Sequence, residues 1–241
     1  MLIKPMSFMK AQTGGGGGTF VSATFDGSSA YVSTSSAFGS SSAGNFTGAL
    51  IMTSSATTTG YVATSGNIRT YVQLFSNGDF YIKAKNSTNT FVFEYFHDAS
   101  VDGVDWGDGN EKQLVWKYDG SSGASQVYYN DNGGGWTDDS TNIDTSTSSE
   151  TVDLSNTTWA VGARSTPNTY YDGSLKMIRI WDDQNPDLSS ASVRDNMLAF
   201  SQGLGTTPLL NLGFATLAEW NTTDINLGDS AAQFDMNGTV T

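Results

Sequence analysis

Two segments of this chain gather residue types that could hold a ligand. In DASVDGVDWGDGNE, residues 98–111, the carboxylates of Asp102, Asp105 and Asp108 recur around Trp106. Carboxylate oxygens are what calcium takes, so these three are candidate cation ligands. Three-residue spacing would align them on a helix, but Gly103, Gly107 and Gly109 argue for a loop, and the alternate-residue spacing of an EF-hand is absent. A solvated acidic loop is the plainer reading of the same residues. The second segment, YYNDNGGGWTDDSTNID over 128–144, brings Tyr129, Asn130, Asp131 and Trp136 together. Sugars are gripped by aromatic stacking and by hydrogen bonds from Asp and Asn, so Trp106, Tyr129, Asn130, Asp131 and Trp136 form a candidate ligand-binding set. An ordinary hairpin tip, with its tyrosines in the sheet, is the alternative.

Other chemistry is scarce. His97 is the single histidine, so no multi-histidine metal site can form, and no G-x-S-x-G elbow accompanies it for nucleophilic catalysis. It reads as a strand-end residue near Asp98. The run Gly14–Gly18 is not followed by Gly-Lys-Ser/Thr and reads as a linker, not a phosphate cradle. With no cysteine, disulfides and thiolate metal sites are excluded.

The elements that must position these residues are strands. Residues 19–25, 30–34, 47–53, 68–75, 79–85, 89–96, 112–118, 125–130, 157–163 and 174–181 are short runs of β-formers between turn residues, with a last pair near 208–214 and 231–236. In KQLVWKYD, Leu114, Trp116 and Tyr118 oppose Val115 and Lys117; in DFYIKAK, Phe80, Ile82 and Ala84 oppose Tyr81, Lys83 and Lys85. That period of two belongs to sheets with one buried face. One helix is expected at 189–202, capped by Ser189 or Ser190, carrying Val193, Met197, Leu198 and Phe200 inward and closed by Gly203. Trp116, Trp159 and Trp181 fall within strand patterns and belong to the core, which leaves Trp106, Trp136 and Trp220 for a surface. The 27 glycines against 4 prolines fit many tight turns, and 12% aromatic residues argue against a disordered chain. Residues 1–18 read as a glycine-rich arm and 19–241 as one domain, a length that all-β sandwiches commonly use.

Three segments, in this order, resemble the laminin-G-like or concanavalin A-like jelly roll: ATFDGSSAYV (23–32), LVWKYDGSSGASQVYYNDNG (114–133) and WAVGARSTPNTYYDGSLKMIRIWD (159–182) followed by DLSSASVRDNM. The family carries an acidic pair after the glycine matched by Gly173, where this chain has Lys176 and Met177, a departure that leaves that pair's role open. The resemblance implies an all-β, two-sheet antiparallel sandwich and a family spanning glycan binding, adhesion, hydrolases and phage-particle domains, so fold alone does not assign function. The glucanase branch needs carboxylates about 5 Å apart, supplied as Glu-x-Asp-x-(x)-Glu, and no such string occurs here. Glu94, in FVFEYF, reads as a solvent-face or edge carboxylate.

A net charge of −13 with only 11 Lys and Arg disfavours nucleic acid and anionic membranes, and no stretch reaches membrane-spanning length. The first residues lack an apolar run of signal-peptide length, so a soluble protein made in a cytoplasm is expected, and five Asn-x-Ser/Thr sequons are discounted. The expectation is a non-enzymatic structural or adhesive component of a virus particle, a bacteriophage head decoration, fibre or tail protein assembled in the host cytoplasm. It would dock on other virion proteins through residues 1–18, work as an oligomer or within a large assembly, and present lectin-like loops to host-surface glycans. The alternative is a stand-alone carbohydrate-binding module; no cofactor is required by either reading, and calcium is the one that the acidic loop leaves open.

Overall fold

The computed structural model describes residues 19–34, 42–55, 58–155, 159–164, 168–200, 204–222 and 235–241. The expected arm, residues 1–18, and Gly203, the expected helix stop, lie outside them. In chain order the strands are β1 (Ala23–Asp26), β2 (Tyr31–Thr34), β3 (Asn45–Thr53), β4 (Gly60–Ser65), β5 (Thr70–Leu74), β6 (Phe80–Lys85), β7 (Phe91–His97), β8 (Glu111–Asp119), β9 (Gln126–Asp131), β10 (Trp136–Asp138), β11 (Ile143–Ser146), β12 (Trp159–Val161), β13 (Asp172–Asp182), β14 (Leu210–Leu212) and β15 (Asp235–Asn237). Three short helices, α1 (Ala99–Asp102), α2 (Ala191–Leu198) and α3 (Leu217–Trp220), join them. Among the described residues no helix is long and apolar enough to cross a membrane.

The strands form two antiparallel sheets, a β-sandwich of jelly-roll type. A seven-stranded sheet runs β1-β13-β3-β8-β9-β10, with β14 pairing β13 beyond the end of β1; an eight-stranded sheet runs β11-β7-β6-β5-β4-β12-β2-β15. Between them lies one core to which β8 contributes Leu114, Trp116 and Tyr118 and β6 contributes Phe80, Ile82 and Ala84, the faces that period two assigns. Trp116, Trp159 and Trp181 are buried as expected. Trp116 lies over Gly48, its register partner on β3, where an added Cβ would sit 2.0 Å from the indole Cζ2. The glycine therefore makes room for the largest ring of the layer.

The outer face of the seven-stranded sheet is also covered. Ala49, Ile51, Val115 and Met177 pack beneath Leu188 and Met197 of the segment that carries α2. Arg179, on the same face, pins that segment: its guanidinium donates to the carbonyls of Met197 (2.9 Å), Ala199 (2.7 Å) and Phe200 (3.2 Å) and to Asn211 Oδ1 (2.9 Å). Burial without a carboxylate brings its pKa down to about 10.

Several expectations need correction. The helix at 189–202 is shorter, Ala191–Leu198, because the chain leaves the helix at Ala199 to hand its carbonyls to Arg179. Trp220 is fully buried rather than on a surface: α3, closed by a capping box between Thr216 and Glu219, turns its ring onto Phe214 and Phe25, with centroids 5.1 and 6.2 Å away. Strands β4, β10 and β11 fall outside the runs that the sequence pattern predicts, and β1 begins at Ala23 rather than at residue 19.

Gly48→Ala is expected to lower the unfolding free energy by about 2 kcal/mol, the scale of overpacking a tight core. Denaturant titration checks this, and an unchanged midpoint would show that Trp116 has room to move.

Candidate functional site

The two loops singled out from the sequence do meet, at the end of the sandwich where β7 and β9 finish and β8 begins. The Asn132 amide donates to the Glu111 carbonyl at 2.8 Å. Beneath them His97 is fully buried, its Nδ1 2.8 Å from Asp139 Oδ2 and its Nε2 3.0 Å from the Val104 carbonyl oxygen. The Tyr95 hydroxyl donates to the same Asp139 oxygen at 2.7 Å. Burial tends to raise the Asp139 pKa, but hydrogen bonds from His97 and Tyr95 outweigh it and hold the carboxyl below its ordinary range. The partner of His97 is therefore Asp139, 42 residues away, rather than the adjacent Asp98.

That junction is spent on structure. Trp106 is not a surface ring: it is fully buried, stacked on Phe80 at 4.3 Å and edge-on to His97 and Tyr129. The flanking glycines let the loop fold back so that the indole plugs the end of the core. Tyr129 also points inward and is buried. Asn130 accepts the Gly135 amide at 3.2 Å. Trp136 turns to the outer face of the seven-stranded sheet, where its N–H donates to Asp195 Oδ1 at 2.9 Å and the Arg194 guanidinium lies 5.3 Å from its ring. The five expected ligand-binding residues thus form no common surface.

The carboxylates likewise diverge. Asp102 accepts the Asp98 amide, Asp105 accepts the Gly107 amide, and Asp108 accepts the Asn110 amide. Among the described residues no group of three or more carboxylate or histidine side chains is placed to share a metal ion. The cation between the loops is Lys112, fully buried, whose ammonium lies 2.9 Å from Asp108 and 2.5 Å from Asp131. Burial opposes ionisation of Asp108, yet bonding from Lys112 and Asn110 leaves its pKa lowered. An open concavity of about 540 Å³ on the seven-stranded sheet, lined by Lys117, Gln126, Asp138, Asn185 and Asp187, has polar groups but no aromatic ring in its lining.

A different surface gathers the rings. On the outer face of the eight-stranded sheet, register places Tyr61 (β4) beside Gln73 (β5), Gln73 beside Tyr81 (β6) and Tyr81 beside Phe96 (β7). A parallel row runs Thr64, Tyr71, Lys83, Glu94 and Thr145. Ring centroids lie 5.8 Å apart for Tyr61 and Tyr71, 4.1 Å for Tyr81 and Phe96, and 5.0 Å for Phe75 and Tyr81. All these rings are half-buried. The row crosses four strands, a span of about 14 Å at ordinary strand spacing.

Two β-bulges build this face. In β4 the partners jump from Tyr61 with Gln73 to Ala63 with Val72, and in β7 from Phe93 with Ala84 to Phe91 with Lys85. The skipped residues, Val62 and Val92, are buried in the core. Without these extra residues Tyr61 would share the inward face of Ala63, and Phe91 that of Phe93; each bulge re-aims an aromatic outward. Period two places Tyr81, Lys83 and Lys85 opposite the core, but the bulges carry no signal in a single run of β-formers. Burial raises the pKa of Tyr71, helped by Tyr61 and Glu94, and that of Tyr81, helped by Asp144, so both remain phenols able to donate hydrogen bonds.

No protein-family model and no curated protein matches the chain. Among solved structures it is similar to a putative carbohydrate binding protein from Bacteroides ovatus, with a TM-score of 0.57 and 12% identity over 92% of this chain and 59% of that one. The chain thus spans about three fifths of that protein's length. It is also similar to the native heptameric SAP-like pentraxin of Limulus polyphemus (TM-score 0.49, 11% identity, 73% of this chain and 82% of that one). A third is domains LG4-5 of the mouse laminin alpha1 chain (TM-score 0.43, 12% identity, 78% and 50%). At these identities the likeness speaks to fold.

His97→Ala takes from the buried Asp139 carboxylate its imidazole partner and from the Val104 carbonyl its contact with Nε2. A loss of about 3 kcal/mol is expected on denaturant unfolding, as for other broken buried pairs. A loss below about 1 kcal/mol would mean that water replaces the imidazole there.

Proposed function

We propose that this protein binds carbohydrate, without catalysis, on the outer face of its eight-stranded sheet. The observation that carries this is the pair of bulges that turn Tyr61 and Phe91 outward to join Tyr71, Tyr81 and Phe96. Aromatic rings bury more apolar area than any other side chains, so grouping them on a solvent face forgoes stability unless a partner covers them. Sugar rings suit such a partner, since their C–H faces stack on aromatic faces while their hydroxyls meet the phenols and Thr145. The span of the row fits a short oligosaccharide lying across the strands.

The same face argues against glycoside hydrolysis. Glu94, the carboxylate within its rows, is held by Lys83 at 2.9 Å and accepts from Thr145 Oγ1 at 2.8 Å, so it is engaged in the sheet rather than poised as one of the paired carboxylates that hydrolysis needs. Binding through rings and phenols needs no cation, so chelating calcium should leave it unchanged. The similarity of fold to a putative carbohydrate binding protein agrees with this reading. Residues 1–18, on which docking to a virus particle turns, lie outside the described residues, and that role stands as the expectation stated from the sequence.

Tyr81→Ala is expected to weaken the best ligand found on a glycan array by about tenfold, or 1.4 kcal/mol, in calorimetry with and without chelator, while the circular dichroism spectrum is retained. Equal affinity of the variant and the wild type would remove this face as the platform.

A further inference from the structure

The charges on this protein are unevenly placed. Of its 11 Lys and Arg against 24 Asp and Glu, the described residues hold nine basic groups. Lys112, Arg179 and Arg194 are buried, Arg69 is bonded to Asp153, and Lys176 lies 2.5 Å from Glu111. Against that acidic background two ammoniums converge on one ring. Lys85 Nζ lies 4.4 Å and Lys83 Nζ 5.2 Å from the centroid of Phe91, and Lys83 Nζ is also 4.6 Å from that of Tyr81. Lys83 is balanced by Glu94, whereas Lys85 bonds the neutral Asn89 Oδ1 at 3.1 Å.

Like charges on adjacent outward positions of one strand repel, and the ring's quadrupole offsets only part of that. The bulge at Val92 is what puts Phe91 under them, since regular alternation would have sent this ring inward. The result is an aromatic plate carrying a net positive charge, continuous with the neutral row of Tyr61, Gln73, Tyr81 and Phe96.

We propose that the Lys83–Lys85–Phe91 end of this face is a subsite for an anionic sugar, one bearing a carboxylate or a sulfate, so that the protein selects acidic over neutral oligosaccharides. This rests on the carbohydrate-binding reading above. The two ammoniums held over Phe91 meet the anionic group of the acidic unit, and neighbouring units extend across Tyr81 towards Tyr61. Both ammoniums are half-buried and still reach solvent, so selectivity of this kind is screened by salt.

The test titrates the full chain with three oligosaccharides of equal length: an oligogalacturonate, a sulfated galactan fragment and a neutral galactan fragment. At low ionic strength at least one anionic ligand should bind about tenfold more tightly than the neutral one, and salt near 0.5 M should erase the difference. Comparison of the two anionic ligands tells carboxylate from sulfate. Lys85→Gln should bring the preferred ligand down to the affinity of the neutral one, and Tyr81→Ala should weaken both. Equal binding of all three to the wild type, or a preference that survives Lys85→Gln, would overturn the anionic subsite while leaving the platform standing. Failure of all three to bind the wild type would overturn the platform as well.

Discussion

Along a regular strand, side chains alternate strictly between the two faces, so a strand that buries every second residue can move an aromatic to the far side only by inserting a residue. This constraint governs the whole molecule. Where alternation is kept, as in β8 with Leu114, Trp116 and Tyr118 inward, the result is a continuous core between the sheets. Where it is broken, at Val62 and Val92, the inserted valines stay in the core and the rings beside them are delivered to the outer face of the eight-stranded sheet. The core loses nothing apolar, and the outer face gains Tyr61 and Phe91.

The two outer faces follow opposite courses. That of the seven-stranded sheet is closed by the segment carrying α2, which is held by Arg179 through backbone carbonyls that a helix end would otherwise leave unpaired. A buried guanidinium without a carboxylate is costly, and four acceptors around it make the arrangement stable. On the eight-stranded sheet, β4 to β7 keep rings half open to solvent and ringed by groups that can donate or accept hydrogen bonds. The rim loops between β7 and β8 and between β9 and β10 serve neither face. Trp106 and the strand ends beside these loops close the end of the core, through the stacking on Phe80 and the His97–Asp139 and Lys112–Asp131 contacts.

Much of the sandwich was legible in the sequence, because period two in segments such as 79–85 and 112–118 records directly which side meets the core. The strands left unread are those whose pattern is weak. In β4 the bulge breaks alternation, and in β10 and β11 three or four mostly polar residues sit on edges where neither face is deeply buried. The rim was read as a binding site because acids and aromatics clustered there in sequence. Composition cannot tell a ring that plugs a core end, like Trp106, from one that awaits a ligand; that depends on Phe80 and His97, brought beside it only by the fold. Conversely, the aromatic face joins residues from four strands, each contributing one or two rings, so no single segment announced it.

The central claim is the location of binding on the outer face of β4 to β7, and backbone amide chemical shifts followed during titration with the tightest-binding oligosaccharide test it most directly. The account predicts that the largest changes fall at Tyr61, Tyr71, Gln73, Tyr81 and Phe96, with little at 98–111 or 128–139. Changes centred on those rim loops, or on the polar concavity around Lys117 and Asn185, would contradict it.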